Sequence, residues 1–200
     1  LLADKLTEPP VLSVSDDGSV VVPLLGGHRG ANRLARDVAQ ALGGVSAVTT
    51  AGDVALGVAL DAPPAGWRLA NPEAAQSVMA TLLSGGGATV TGDAPWLADL
   101  PRGEAVLIEA TIAAAPEADL HFAPQRVALG VGCARNCPEA ELAGLVDQAL
   151  EEAGISPAAV ASVNTIDLKG DEPAVIALAR RLGVPLRLFT ASELEAEADR

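Results

Sequence analysis

The last third of the chain alternates strand-like and helix-like segments, and this alternation constrains the fold more than any other feature. Three short apolar runs have the composition of buried strands, namely RVALGVG, ASVNTIDL and VPLRLFT. Two segments of helical periodicity separate them and end at Gly154 and Gly183, and a further helix is expected from Ser192. Strands joined through helices pair in parallel, so the sequence predicts a parallel α/β sheet here.

A second unit of this kind lies near the start of the chain. The β-branched run Val20–Leu25 predicts a strand, a glycine-rich turn follows, and Val45–Thr50 predicts the next strand. Between them an apolar stripe predicts a helix that ends at Gly43, with members Leu34, Ala35, Val38, Ala39 and Leu42. Three polar residues at the end of the second strand are placed to face the turn: Thr49, Thr50 and Asp53.

The region between the two units is predicted to be less regular. Asn71 and Pro72 begin a predicted helix, and Ala105–Thr111 predicts a strand. The segment AAAPEADLHFAPQ has the composition of a linker, in which His121 would be replaceable at little cost. The expected fold class is therefore α/β, with two small parallel-sheet domains joined by a less regular middle region.

Charge and composition exclude several classes of protein. The net charge is −13, from 26 acidic and 13 basic residues, whereas a nucleic-acid binder needs a basic face. No apolar run reaches the ~20 residues of a membrane span, and no signal-peptide pattern is visible. Two cysteines are too few for a secreted disulfide framework. We therefore expect a cytoplasmic protein that binds neither nucleic acid nor membrane.

Three polar loops follow predicted strands, which is where open parallel sheets bind ligands. The first, GGHRGAN, offers backbone amides at its glycines, Arg29 for a carboxylate, and His28 to move a proton near neutral pH. It matches neither a phosphate-binding P-loop nor a dinucleotide fingerprint. The alternative interpretation is an ordinary glycine-rich turn with a solvated histidine.

The second loop, GVGCARNC, opens with Gly130 and Gly132 like a dinucleotide fingerprint, but Arg135 replaces the third glycine. A nicotinamide site is therefore not expected. Cys133 and Cys137 are a candidate metal pair, but they lack a nearby histidine. We expect both to be reduced structural thiols that bind no metal.

The third loop, TIDLKGDE, brings together four charged residues: Asp167, Lys169, Asp171 and Glu172. One interpretation is a polar connection in which Asp171 caps the next helix. The other is a lysine held by carboxylates at the rim of a pocket, where it contacts an anionic ligand.

Taken together and in this order, the three loops resemble the cobalamin-biosynthesis CbiG family, the cobalt-precorrin-5A hydrolases. Residues 1–52 resemble the second half of the family's N-terminal domain, through LLADKLTEPP, LLGGH and TTAGD. Residues 53–124 are similar to its middle region and linker. Residues 125–200 resemble its C-terminal domain, which also exists alone as the CobE-type protein, and they stop before that domain's usual end.

The resemblance implies hydrolysis of the δ-lactone of cobalt-precorrin-5A, with release of acetaldehyde and formation of cobalt-precorrin-5B. It implies no redox cofactor and no protein-bound metal, because the substrate carries the cobalt. A positioned water, a general base and donors for an oxyanion are required. His28 is the candidate base, with Asp53, Asp167 and Glu172 as alternatives. The expected substrate-binding residues are Gly26, Gly27, Arg29, Gly30, Asn32, Thr49, Thr50, Gly130, Gly132, Arg135, Thr165, Lys169 and Glu172.

Several positions depart from the family pattern. GHRGAN lacks an extra glycine, and GCA stands where Gly-Cys-Arg is usual. These departures keep open an alternative function, that of a non-catalytic corrinoid carrier acting with a precorrin-3B C17-methyltransferase, and they suggest a fragment or part of such a fusion. An acidic protein can still bind a polycarboxylate if its donors share one cleft, and the candidates are Arg29, Arg33, Arg135 and Lys169.

Overall fold

The computed structural model describes residues 9–27, 30–48, 56–115 and 117–198. Ten strands occur in these residues: β1 (Val11–Val14), β2 (Val20–Leu25), β3 (Val45–Ser46), β4 (Trp67–Leu69), β5 (Ala88–Gly92), β6 (Val106–Ala110), β7 (Leu120–Pro124), β8 (Val127–Gly130), β9 (Val160–Ile166) and β10 (Leu186–Phe189). The same residues form five α-helices: α1 (Ala31–Leu42), α2 (Ala75–Leu83), α3 (Glu139–Glu152), α4 (Pro173–Leu182) and α5 (Ala191–Ala198).

The C-terminal sheet has the order β10-β9-β8, and both of its strand pairs are parallel. Helices α3 and α4 share one apolar core with it, centred on the fully buried Val160, Val163 and Val175. The parallel α/β sheet predicted for this part of the chain is therefore confirmed. Since all three strands run the same way, their carboxyl ends lie at one edge.

The N-terminal sheet has the order β1-β2-β3 and is mixed. The predicted parallel pairing of β2 with β3 is confirmed, although β3 spans only Val45–Ser46, and β1 adds an antiparallel neighbour that the sequence did not predict. Helix α1 buries Ala35 and Ala39 against Val21 of β2. Leu34 and Leu42, predicted to be part of the buried stripe, are 42% and 53% exposed, because α1 turns its alanine face to the sheet.

The middle region contains α2 and all four strands of a sheet of order β4-β7-β6-β5. Strand β7 pairs in parallel with β6 and antiparallel with β4. All five residues of β7 are buried, so the predicted linker AAAPEADLHFAPQ is wrong over Leu120–Pro124. Tertiary pairing on both edges of β7 overrides its weak local strand signal.

His121 belongs to this buried strand and is 5% exposed, with Nε2 3.0 Å from the carbonyl oxygen of Thr111. The expectation that it lies in a linker is therefore wrong, and it is no longer suited as a control position. We expect His121→Ala to lower the free energy of unfolding by about 1–3 kcal/mol, since it removes a buried side chain and its hydrogen bond to the partly buried Thr111 carbonyl. Urea unfolding measures the loss. The exposed Gln40→Ala variant is the control, and an equal effect in both variants would contradict this account.

The described residues divide into two compact units. The first comprises the described parts of residues 1–64, 71–90 and 94–107, and the second, which we call the C-terminal unit, comprises those of 65–70, 91–93 and 108–200. The division at residues 52 and 124 expected from the sequence stays a prediction. No helix in the described ranges has the length and apolar character needed to cross a membrane.

Candidate functional site

The glycine-rich turn before α1 depends on two residues with positive φ. Gly26 has a φ of 74° and Gly30 a φ of 88°, and Gly30 is the N-cap residue of α1. The Ala31 amide donates to the Gly26 carbonyl at 3.1 Å, which closes the turn onto the helix. A Cβ atom on Gly26 would lie 2.8 Å from the Pro10 Cα atom. The sequence predicted this sharp turn and its use of glycine correctly.

Asn32 lies in the first turn of α1 and is only 8% exposed. Its side-chain amide faces Gly27, where an added Cβ atom would lie 3.7 Å from the Asn32 Nδ2 atom. Arg33, the next residue, points into solvent. The residues predicted to bind the ligand here, Gly26, Gly27, Gly30 and Asn32, therefore lie close together at the start of α1, where Gly26 and Asn32 are buried.

Five candidate residues of the first unit lie outside the described residues. They are His28 and Arg29 in the turn, and Thr49, Thr50 and Asp53 after β3. Their predicted roles stay predictions.

A pocket of about 440 Å³ lies at the carboxyl edge of the C-terminal sheet. Its size falls in the lower half of the ~300–1,000 Å³ range of small-molecule sites. It is lined by Gly130, Val131, Gly132, Cys133, Asn164, Thr165, Ile166, Lys169, Phe189 and Leu194. The predicted residues Gly130, Gly132, Thr165 and Lys169 are thus brought together on its walls, as expected for ends of parallel strands.

Gly130 and Gly132 line the pocket beside open space. A Cβ atom added at either glycine would meet nothing within 4 Å, so the space beside both residues is free. Thr165 is 6% exposed and donates its hydroxyl to the Val131 carbonyl at 2.8 Å, which ties β9 to the loop after β8. The backbone of this loop therefore approaches the pocket directly, and Thr165 fixes its position.

Asn164 also lines the pocket, and sequence analysis missed it. Its Nδ2 atom donates to the Leu129 carbonyl at 3.3 Å and lies 3.1 Å from the Ser162 hydroxyl. Asparagine is uncommon in a central strand of a sheet. Its presence in the predicted strand ASVNTIDL could therefore have marked Asn164 as a candidate site residue. Phe189 and Leu194 were missed as well, because apolar pocket walls and apolar core residues look alike in a sequence.

Arg135 joins the second loop to the third. Its Nη1 atom lies 2.5 Å from Asp171 Oδ1, and its Nη2 atom donates to the Leu168 carbonyl at 2.5 Å. The hydrogen bond with Asp171 raises the pKa of Arg135 and lowers the pKa of Asp171, so the pair persists to acid pH and is lost as the pH falls through that lowered value. The guanidinium is thus engaged by the protein, and Arg135 does not line the pocket.

Asp171 was predicted to cap the following helix, and this prediction is wrong. Glu172 is the N-cap residue of α4, and its side chain makes no capping hydrogen bond. Asp171 lies one residue before the N-cap position, and its carboxylate pairs with Arg135 instead.

Glu172 is a buried carboxylate between the two loops. It is 1% exposed, and its Oε2 atom lies 3.9 Å from both Arg135 Nη1 and Lys169 Nζ. No group in the described part of the chain makes a hydrogen bond to its Oε1 atom. Glu172 does not line the pocket, whereas Lys169 does, and Lys169 is the only cation on the walls that the structure describes.

Cys133 and Cys137 are free thiols in the structure, and both pack against the C-terminal core. Burial raises the pKa of Cys137, and the nearby carboxylate of Glu141 raises it further, so its thiolate form is disfavoured. Within the described ranges no cluster of three or more His, Cys, Asp or Glu side chains has the geometry of a metal site. That the two cysteines bind no metal stays a prediction.

The C-terminal unit is an α/β unit with a candidate ligand pocket at its strand ends. The chain belongs to the cobalamin synthesis G (CbiG) family. Residues 1–53 match the family model described as "Cobalamin synthesis G N-terminal", and residues 127–200 match "Cobalamin synthesis G C-terminus". The resemblance drawn from the three loops is therefore confirmed.

Three curated proteins illustrate the relationship. A protein named cobalt-precorrin-5A hydrolase from Salmonella typhimurium is 32% identical over 97% of this chain and 62% of its own length. One of the same name from Priestia megaterium is 28% identical over 98% of this chain and 60% of its own length. Protein CobE from Sinorhizobium sp is 40% identical over 36% of this chain and 47% of its own length.

The chain thus spans about three fifths of the length of the two hydrolases that it matches. A solved structure of a cobalamin biosynthesis protein G homolog from Sulfolobus solfataricus is 20% identical over 98% of this chain and 61% of that chain, with a TM-score of 0.33. This structural likeness is too low to support an argument about the fold.

Proposed function

We propose that the chain acts in cobalamin biosynthesis as a cobalt-precorrin-5A hydrolase, which opens the δ-lactone of its substrate and releases acetaldehyde. The observation that carries the proposal is the similarity to two proteins of that name over almost the whole chain. The proposal requires no redox cofactor of the protein, since water is the co-reactant and the cobalt belongs to the substrate. The cytoplasmic location stays a prediction.

The pocket of the C-terminal unit suits one edge of a corrin-type macrocycle. Its described walls combine apolar side chains, such as Val131, Ile166 and Phe189, with one cation, Lys169. An apolar ring edge that bears a carboxylate presents the complementary chemistry. A pocket of about 440 Å³ accommodates a part of such a substrate, so we assign it to binding and orientation.

The chemical step is assigned to the first loop. The described walls of the C-terminal pocket carry neither an imidazole nor a carboxylate that could take a proton from water. His28 remains the candidate base, and the amides of the glycine-rich turn are candidate donors for the oxyanion formed at the lactone carbonyl. The proposal thus assigns binding to the C-terminal pocket and catalysis to the first loop, and variants in each can be tested separately.

The direct test is incubation of the protein with cobalt-precorrin-5A, followed by measurement of acetaldehyde with a coupled alcohol dehydrogenase. Release of about one acetaldehyde per substrate, above a heat-denatured control, supports the proposal. Binding of the substrate without release would favour the non-catalytic carrier. In that case co-purification with a precorrin-3B C17-methyltransferase tests the partner that the alternative names. Neither binding nor release from the folded protein would reject both functions.

Lys169→Ala tests the binding role of the pocket. We expect KM to rise about 10- to 100-fold, because one charge-assisted contact with a substrate carboxylate is lost. We expect kcat to stay close to that of the original protein, since a contact made equally in the ground and transition states affects KM alone. Steady-state acetaldehyde release measures both constants.

The matched control for this variant is Arg187→Ala. Arg187 lies exposed on β10, the strand beside β9, and does not line the pocket, so its loss removes one positive charge near the pocket without removing a pocket contact. An equal rise of KM in both variants would show that overall charge matters and that the pocket contact does not. A large fall of kcat in Lys169→Ala with unchanged KM would contradict the assigned role.

A further inference from the structure

The carboxylate of Glu172 is compensated by charge and not by hydrogen bonds. Its Oε2 atom stands 3.9 Å from Lys169 Nζ and from Arg135 Nη1, which is longer than a hydrogen bond. Its Oε1 atom has no hydrogen-bond partner in the described part of the chain, although the side chain is 1% exposed. Burying a carboxylate without hydrogen bonds destabilises the fold. This points to a function of Glu172 that involves the side chains beside it.

The two cations beside Glu172 differ in whether they can contact a ligand in the pocket. Arg135 is occupied by Asp171 and by the Leu168 carbonyl, and it does not line the pocket. Lys169 lines the pocket, and its side chain is 19% exposed. A lysine has a flexible four-carbon stem, so its ammonium group needs an anchor to hold one position. Glu172, three residues further along the chain, lies where such an anchor is needed.

We propose that Glu172 is a positioning residue, which holds the Lys169 ammonium at the pocket wall so that its donors face a carboxylate of the ligand. This role rests on the proposed function only for the identity of the ligand. Glu172 itself touches no ligand, because its carboxylate is buried. Arg135, anchored by Asp171, supplies the second charge that keeps the Glu172 carboxylate in place. Preorganisation of this kind improves affinity by reducing the entropy lost on binding.

The first experiment needs no ligand. The chain has only two lysines, Lys5 and Lys169, so lysine-selective ¹³C and ¹⁵N labelling gives two side-chain signals, and Lys5→Arg assigns them. We expect the ε-methylene of Lys169 to be ordered on the fast NMR timescale in the original protein and mobile in Glu172→Gln. Glu172→Asp, which keeps the charge, should restore part of the order.

Asp147→Asn is the matched control for the NMR experiment. Asp147 pairs with Arg181 at 2.8 Å in the same unit, away from the pocket lining, so its loss removes a carboxylate without touching Lys169. A mobile Lys169 in the original protein would overturn the proposal, and so would an ordered Lys169 in Glu172→Gln. If Glu172→Gln fails to fold, a mobile Lys169 in the original protein still overturns the proposal, and so does a Glu172→Asp variant in which the order of Lys169 is unchanged despite the shorter side chain.

The second experiment measures affinity for a stable cobalt corrin polycarboxylate by its absorbance change. We expect Glu172→Gln and Lys169→Ala each to weaken binding about tenfold or more, and the double variant to bind no more weakly than Lys169→Ala. Losses that multiply in the double variant would show that Glu172 acts independently of Lys169, and they would overturn the proposal. If the original protein does not bind the probe, the proposed function is weakened, while the NMR result still decides the positioning role.

Discussion

His28→Ala is expected to lower the rate of acetaldehyde release by about 10²- to 10⁴-fold, which is the usual contribution of a general base. The imidazole is the candidate that can take a proton from water near neutral pH. Substrate binding should survive, because the carboxylate contacts assigned to the C-terminal pocket do not involve His28. Single-turnover acetaldehyde release measures the chemical step, and the absorbance change on binding measures affinity.

The pH dependence of the acetaldehyde-release rate provides a second test of His28. A histidine that acts as a base is active when neutral, so the rate should fall towards acid pH, and His28→Ala should lose this dependence. Gln40→Ala is the control, since Gln40 is exposed on α1 and has no assigned role. His121→Ala cannot serve as a control, because His121 is buried in β7 and contacts Thr111.

Near-normal acetaldehyde release by His28→Ala would show that another residue is the general base. Glu172 is buried and unsuited to direct contact with a substrate. Asp167 is exposed, and its Oδ1 atom accepts a hydrogen bond from the Leu168 amide at 2.8 Å, so it is placed as a turn-forming residue outside the pocket lining. Of the alternative bases, Asp53 would then be the first to replace.

The predictable parts of this fold are those that local chemistry determines. The β-branched run of β2 and the glycine that stops α4 gave the bounds that the structure has, because chain geometry and side-chain branching act within a few residues. Parallel pairing of β8, β9 and β10 followed from the helices between them. The glycine-rich turn before α1 was found for the same reason, since Gly26 and Gly30 adopt a positive φ there.

The missed features depend on contacts between distant segments. Strand β7 contains His121 and ends in Pro124, and its burial follows from pairing with β4 and β6. Phe189 and Leu194 line the pocket because of where β10 and α5 lie in the C-terminal unit. Likewise, the role of Asp171 was assigned to a helix cap, whereas the structure pairs it with Arg135 of another loop. Sequence periodicity carries no information on such pairings.

Gly26→Ala is expected to lower the stability of the first unit by about 2–5 kcal/mol. Two costs combine, namely a positive φ of 74°, which costs a residue with a side chain about 1–2 kcal/mol, and a Cβ atom placed 2.8 Å from the Pro10 Cα atom. The close contact with Pro10 involves its backbone, so it can be relieved only if the chain shifts. Overpacking of this kind typically costs about 1–3 kcal/mol.

Gly30→Ala is the matched comparison, because Gly30 has a similar positive φ of 88° but open space around an added Cβ atom. It should cost only the conformational part, about 1–2 kcal/mol. The difference between the two variants in urea unfolding therefore isolates the contact of the turn with Pro10. Equal losses would show that this contact contributes nothing to stability. The expected larger loss for Gly26→Ala, accompanied by a fall in acetaldehyde release under conditions where the protein stays folded, would show that the same close packing also fixes the turn that carries His28.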